Sequence, residues 1–517
     1  MATKAKQSST FLVPDTGPEL VVGLVAPIGT DLSIVENVLR EEFEKVGYES
    51  ECLHVSKLMK DSKIELKLKE SPLETRYKTY MDAGNKIRRK MRRNDALALL
   101  SIAAIKKRRG QITGKMTKPS PKTVYIFNQL KRPEEVEKLR DVYGKLFIQV
   151  SAYCSSASRL NSLTHKISES HHGDKRSEHY KSYAQNLIVR DDDEEQNEYG
   201  QRVKNTFPLA DVIISAENEN STRETCRRFI RAFFGDSFIT PRKEEYGAYT
   251  AKCASLRSSD LSRQVGAAAV TKQGEIIALG CNEVPKGGGG TYWEEDETDS
   301  RDFVHGFDPA HKMKRHLLED IFRILNEGKW LRDDVASKGM TEMVRLALDK
   351  RSNPHIEDAN IMNSLEYGRI IHAEMSVIAD CARRGISLRE SILYTTTYPC
   401  HNCARHIVAS GISEVVFLEP YSKSLAGELH NDSIHFDDGR PGTRNQVVFR
   451  QFIGIAPERY WEIFKRGKRK DESGIAKKWQ PAKATPIVKQ FVASYIPIES
   501  AVVKTTEEIL KPLQTET

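Results

Sequence analysis

Cysteine is scarce: eight in 517 residues, too few for so long a chain to be a disulfide scaffold. No apolar run reaches the roughly 18 residues that a membrane-spanning helix needs; the longest, Ala96 to Ile105, stops far short. The opening MATKAKQSST lacks the hydrophobic stretch of a secretion signal. Neither sign of charge dominates, since 80 Lys+Arg against 72 Asp+Glu leaves +8, a mild lean towards anionic ligands. With 39% hydrophobic residues the composition is not that of a disordered chain. The expectation is a soluble, cytoplasmic protein without a membrane partner. At about 100–200 residues per domain it should hold two or three domains.

What is present reads as α/β alternation. Residues 1–16 are polar and expected to be a disordered tail. Glu19 to Val25 then has the pattern of a buried strand, followed by Ala-Pro-Ile-Gly-Thr-Asp and a helix-like stretch from Leu32 to Val46. That is the opening unit of a parallel α/β domain. Further strands are expected at Thr123–Phe127, Lys145–Val150 and Ala210–Ser215, and a helix from Arg223 to Phe234 closes a first domain, 17–238. The acidic run Asp191 to Glu195 reads as a loop. A second domain, 239–470, starts with a helix at Glu244–Leu256 and a β-hairpin of Gln264–Val270 with Ile276–Gly280. An insertion of about 286–369 interrupts it with four consecutive glycines, the acidic run Glu294–Asp299 and a polar helix around His311–Glu327. Alternation resumes with a helix at Ala373–Arg384, a strand at Ile392–Thr396, a helix at Cys400–Ser410 and a strand at Glu414–Leu418. Residues 471–517 are a lysine-rich C-terminal extension.

The strongest chemical signal is His372-Ala-Glu374 followed by Pro399-Cys400-His-Asn-Cys403. A catalytic zinc takes three protein ligands and keeps one position for water. One imidazole and two thiolates supply that set, in the HxE…PCxxC order of zinc-dependent deaminases. Cys400 and Cys403 are three apart, so in the first turn of a helix both sulfurs reach one side. A helix N-terminus carries partial positive charge, which favours thiolate over thiol. Glu374 does not share the direction of His372 and is placed to shuttle protons. The expected chemistry is hydrolytic attack at C4 of a cytosine ring. Glu374 protonates N3 and then carries the water's second proton to the departing amine. The competing reading is a closed zinc site with His401 or His406 as a fourth ligand.

Around these residues the sequence resembles the deoxycytidylate deaminases. The resemblance runs through Ala254-Ser-Leu-Arg-Ser-Ser-Asp260, Gln264-Val-Gly-Ala, Leu279-Gly-Cys-Asn282, the zinc motifs, and Ser413-Glu-Val-Val-Phe417 up to Tyr421. It implies a cytidine-deaminase-like α/β/α domain with a mixed sheet, Asn282 on the sugar hydroxyl and Tyr421 positioning the nucleotide. Arg257 and Arg263 are candidates for phosphate contact. Over nearly its whole length the chain resembles bacterial anti-phage dCTP deaminases, which join an N-terminal P-loop-kinase-like domain to such a deaminase. That implies conversion of free dCTP, and also dCMP, to deoxyuridine nucleotides and ammonia, draining the dCTP pool against phage. It also implies a homo-oligomer, commonly a hexamer. The alternatives are a housekeeping dCMP deaminase supplying dUMP, an RNA or single-stranded DNA deaminase, and a silent nucleotide-binding regulator.

A working phosphate loop reads GxxxxGK[ST]. Here Gly23-Leu-Val-Ala-Pro-Ile-Gly29-Thr30-Asp31 has the strand-to-helix location, but Thr30 stands at the lysine and Asp31 at the serine or threonine. The glycines are also one residue too far apart. Phosphotransfer there is not expected; nucleotide sensing, regulation or assembly is, with a magnesium-bound nucleotide at a regulatory site as a further expectation. The basic clusters Arg88–Arg93 and Lys106–Arg109 could hold an RNA or nucleotide regulator, or simply be solvated helix ends.

Overall fold

The structure is a computed structural model. It describes residues 17–62, 64–171, 177–194, 197–349, 356, 359–363, 367–420, 424–436, 445–488 and 494–515. Two compact units emerge. One holds the described residues up to Glu245 and those from Gln451 onward; the other holds those between Tyr246 and Arg450. Among the described residues the strands are β1 (Leu20–Val25), β2 (Glu49–His54), β3 (Thr123–Asn128), β4 (Phe147–Tyr153), β5 (Val212–Ser215), β6 (Gly266–Val270), β7 (Ile276–Cys281), β8 (Ile392–Thr397), β9 (Glu414–Glu419), β10 (Ile434–Phe436), β11 (Val447–Gln451) and β12 (Gly454–Ile455).

The first unit carries a sheet of order β12-β5-β4-β1-β3-β2. It is parallel except at β12, which runs antiparallel to β5. Val22 sits between Ile126 of β3 and Ile148 of β4. Every residue of β1 is buried, which is why LVVGLV is a continuous apolar run and not an alternating one. Gly23 has a local reason: a Cβ there would stand 2.6 Å from Leu130 and 3.0 Å from the Phe147 ring. The helix Leu32–Glu44 starts at Asp31, whose carboxylate accepts the Ser33 N–H at 3.1 Å. The helix Glu219–Phe233 is capped by Asn218 and is followed by Gly235 at φ +80°. The edge strand β2 escapes a sequence reading because ESECLH has no apolar alternation and one covered side.

Several expectations about this unit are corrected or filled in. Residues 451–470 do not stay with the deaminase unit: β12 joins the first sheet, and Arg459 is buried with its guanidinium on Asp211 and the Phe147 carbonyl. The extension 471–517 includes a helix, Ile496–Thr515, whose Val502, Ile509 and Leu510 pack against the core around Leu97 and Leu99. Asp191 and Asp192 end a helix, Ser177–Asp192, and Asp191 is fully buried. Finally, the basic clusters divide, with Arg89, Lys90, Arg92 and Lys107 exposed and other members paired within the fold. Arg88 is buried against Glu135 at 2.7 Å, Arg109 is buried between Glu19 and Glu499, Arg93 pairs with Asp95 and Arg108 with Glu51.

The second unit carries a mixed sheet of order β10-β11-β9-β8-β6-β7. β6 pairs antiparallel with both β7 and β8, while β8 and β9 are parallel. The helix Ala373–Arg384 packs Ala373, Val377 and Cys381 into the core formed by Ala267, Ala269 and Leu393; the helix His401–Ala409 adds Cys403, Ala404 and Ile407. Alanine at successive β6 positions lets helices approach the sheet closely. The insertion includes the helix Pro309–Glu327, capped by Asp308 and amphipathic enough to bury Leu318.

Candidate active site

Both sequence motifs open helices. His372 is the N-cap of Ala373–Arg384 and Cys400 the N-cap of His401–Ala409, where its sulfur accepts the Cys403 N–H at 3.5 Å. Glycine decides how closely the first helix seats. At Gly280 a Cβ would stand 2.5 Å from the Ala373 carbonyl and 2.9 Å from the Val377 N–H, so β7 and the His372 helix touch backbone to backbone. Gly266 plays the same part in β6, where a Cβ would fall 2.0 Å from the Ala251 carbonyl. The sheet is thereby a ruler for the motif residues above it.

His372 Nδ1 lies 3.3 Å from Cys400 Sγ and 3.4 Å from Cys403 Sγ. The three ligand atoms lie within 4.8 Å of one another. Tetrahedral zinc, with bonds of about 2.3 Å to sulfur and 2.0–2.1 Å to nitrogen, sets its ligands roughly 3.5–3.8 Å apart. The donor set therefore fits zinc in both chemistry and span. Among the described residues no other His, Cys, Asp or Glu joins the group; neither His401 nor His406 does. The hydrogen bond from Cys403, and after it the His372 imidazole, hold the Cys400 thiol down at about 4 against the opposing effect of burial. The hydrogen bond between His372 and Cys400 in turn raises the His372 pKa.

Glu374 is buried, 4% exposed, with Oε2 accepting from Cys403 Sγ at 3.4 Å. Burial pushes its carboxyl up, and the neighbouring Cys400 adds to the shift. A carboxyl poised to hold a proton beside a metal-ligand cluster is suited to general acid–base chemistry. The site opens into a cavity of about 480 Å³ lined by Glu374, His372, Cys400, Asn282, Arg263 and Tyr398 among others. Its far wall comes from the insertion, including Asp302, Lys314 and Arg369. No sequence signal marked Lys314, because only folding brings the helix Pro309–Glu327, some sixty positions upstream, to the motif.

The remaining expected residues fare differently. Asn282 reaches the cavity, but its amide is also structural: Oδ1 accepts the Val265 N–H at 2.7 Å, and Nδ2 donates to Asp260 at 3.0 Å and to the Arg263 carbonyl at 2.9 Å. Arg263 lines the cavity from an exposed loop. Arg257 is corrected: its guanidinium stacks 3.9 Å above the Trp293 ring and donates to Thr291, and it does not line the cavity. Tyr421 lies outside the described residues. Of the altered phosphate loop, Gly29 has φ +92°, the Thr30 hydroxyl is buried without a hydrogen-bond partner among the described residues, and Asp31 pairs with Lys166 at 3.2 Å.

The family model described as "Cytidine and deoxycytidylate deaminase zinc-binding region" matches residues 241–419. The deoxycytidylate deaminase of Enterobacteria phage T4 is 31% identical over 173 residues, which are 34% of this chain and 76% of that protein. The chain belongs to the deoxycytidylate deaminase family. Its counterpart from Enterobacteria phage T2 is 30% identical over 173 residues, 34% of this chain and 78% of that protein. The apo dCMP deaminase of cyanophage S-TIM5 is 17% identical, covering 41% of this chain and 98% of that one at a TM-score of 0.22. Membership makes this a zinc-dependent nucleotide deaminase. Within this family member the matched region falls on the second unit and on the few residues just before it. Among the described residues no helix is long and apolar enough to cross a membrane.

Proposed function

We propose that this deaminase converts free deoxycytidine nucleotides, dCTP as well as dCMP, to deoxyuridine nucleotides and ammonia, and that draining dCTP serves defence against phage. The observation that carries the catalytic part is the buried Glu374 beside the His372, Cys400 and Cys403 cluster, at the floor of a nucleotide-sized cavity. Zinc held by those three residues would supply Lewis-acid activation of water. Glu374 takes a proton from the water that attacks C4 and delivers it to ring N3. It then passes the water's second proton to the amine, so that the C4–N bond breaks and ammonia leaves. Burial of Glu374 excludes bulk water from that exchange. Asn282, held by Asp260 and the Val265 N–H, keeps the loop at the cavity mouth in register for the sugar. Arg263 and Tyr421 complete the proposed substrate contacts.

The defence reading is supported by the first α/β unit, which lies almost entirely outside the matched family region. A housekeeping dCMP role is favoured by the substrate named for the T4 and T2 relatives. The deciding experiment incubates zinc-loaded full-length protein with dCTP, dCMP and a cytosine-containing DNA oligonucleotide, with product detection. Release of dUTP and dUMP is the expected result. Turnover of dCMP alone would favour housekeeping supply, and turnover of the oligonucleotide alone would reject the proposal.

A further inference from the structure

The far wall of the active-site cavity carries charges that proton transfer at Glu374 does not use. On the helix Pro309–Glu327, the residues Ala310, Lys314 and Leu318 follow one another at four-residue spacing and so share one face. Ala310 and Lys314 line the cavity, and Leu318 is buried. That face is turned towards the protein, so Lys314 is not a lysine of the solvent side. It forms no hydrogen bond or ion pair with another described residue. The acids of the same cavity wall have partners of their own. Asp302 accepts from Arg369 Nη1 at 2.9 Å, Asp308 caps its helix through the Ala310 N–H at 2.8 Å, and Asp260 accepts from Asn282 at 3.0 Å and from the Ser262 N–H at 2.7 Å. An ammonium on an inward face without a carboxylate of its own is a charge that an anionic ligand would complete.

Arg369 is the second cation of this wall, and it is held differently. Its Nη1 lies on the buried Asp302 and its Nη2 on the Ser300 carbonyl at 3.0 Å, which fixes the guanidinium in place. The side chain is still 38% exposed and lines the cavity, so the remaining N–H groups of the guanidinium stay open to a ligand. Arg369 stands three residues before His372. Its Cα therefore lies at most about 11 Å from that of the metal-ligating histidine, a span that a cytosine ring and its sugar bridge when the ring rests on the cluster. An anchored, planar guanidinium suits the phosphate joined to the sugar, where geometry is set by the rest of the nucleotide. A flexible ammonium suits the phosphates beyond it, which carry more charge and less fixed positions.

We infer that Lys314 is a specificity-determining residue of the cavity: it receives the phosphates beyond the first and so sets the preference for dCTP over dCMP, while Arg369 receives the phosphate joined to the sugar. This rests on the free-nucleotide reading of the active site and deepens it. A monophosphate leaves the Lys314 ammonium unmet, whereas a triphosphate brings it an anion. The contact is remote from C4 and is the same before and during the reaction, so its loss falls on KM and not on kcat.

The test assays zinc-loaded full-length protein with dCMP and dCTP at constant ionic strength. K314Q is expected to lower kcat/KM for dCTP relative to that for dCMP at least tenfold, through KM, and K314R should keep most of the wild-type ratio. The double variant D302N/R369Q, which strands no buried carboxylate, should lower kcat/KM for dCMP and dCTP by similar factors. Calorimetry in the slowed E374Q background reads the same ratios as Kd values without relying on turnover. An unchanged ratio in K314Q, a K314R ratio as low as that of K314Q, or a ratio moved as far by D302N/R369Q as by K314Q overturns the inference and leaves the deaminase reading standing. A wild type that neither binds nor turns over any free deoxycytidine nucleotide overturns both.

Discussion

Removing the carboxylate of Glu499 tests how the C-terminal helix is held. Glu499 and Arg109 are both fully buried. Glu499 accepts from Arg109 Nη1, from Nη2 at 3.0 Å and from the Tyr143 hydroxyl at 2.8 Å. On the other side Glu19 accepts from Arg109 Nε at 2.9 Å and from the Tyr495 hydroxyl at 2.6 Å. Breaking a buried ion pair from one side costs about 3–5 kcal/mol, because the partner is left in a site without water. In Glu499→Ala the guanidinium keeps Glu19, so its charge stays neutralised and the cost falls at the lower end, about 3 kcal/mol. Arg109→Met is worse, at about 5 kcal/mol, because two buried carboxylates lose their shared cation. Urea unfolding of full-length protein, followed by far-ultraviolet dichroism, should show midpoints lowered on the order of 1 M, Arg109→Met more than Glu499→Ala. The triple change Glu19→Gln, Arg109→Met, Glu499→Leu should recover most of the loss, since no charge is then stranded. A Glu499→Ala cost below about 1 kcal/mol, or a triple variant no more stable than Arg109→Met, would refute the reasoning.

Glu374→Gln keeps shape and burial but cannot carry a proton; kcat should fall by about 10²–10⁴-fold with bound zinc, measured by atomic absorption, unchanged. His372→Ala and Cys403→Ala should each lose zinc, and a chelator should abolish ammonia release from the wild type until zinc is restored. Gly280→Ala should push the His372 helix off β7 and lower kcat on the order of 100-fold in steady-state assays, as small misplacements of reacting groups do. Asn282→Ala strands the buried Val265 N–H, so thermal melting should report a loss of about 1–3 kcal/mol, alongside a raised KM.

Much of the site was legible as text. His372, Glu374, Cys400 and Cys403 stand at fixed offsets from helix starts, and a helix start is a local event: the proline, the cap and the first turn are consecutive residues. The same holds for β1, whose unbroken apolar run already implies that both faces are covered, and for the helix Ala373–Arg384, which runs over the residues its pattern marks. β2 was not legible, because its neighbours supply the pairing that its own polar sequence does not advertise.

Sequence by itself determined the donor chemistry and the alternation of strands and helices. Tertiary structure alone decided that the motif faces a cavity roofed by the insertion, that β12 returns to the first sheet, and that Asp191 lies on the Ile28 N–H, 163 positions away. The physical reason is range. Capping, periodicity and ligand spacing act over one or two turns and are written in neighbouring residues. Burial of a charge depends on which distant side chain supplies its partner, and only the packed chain specifies that.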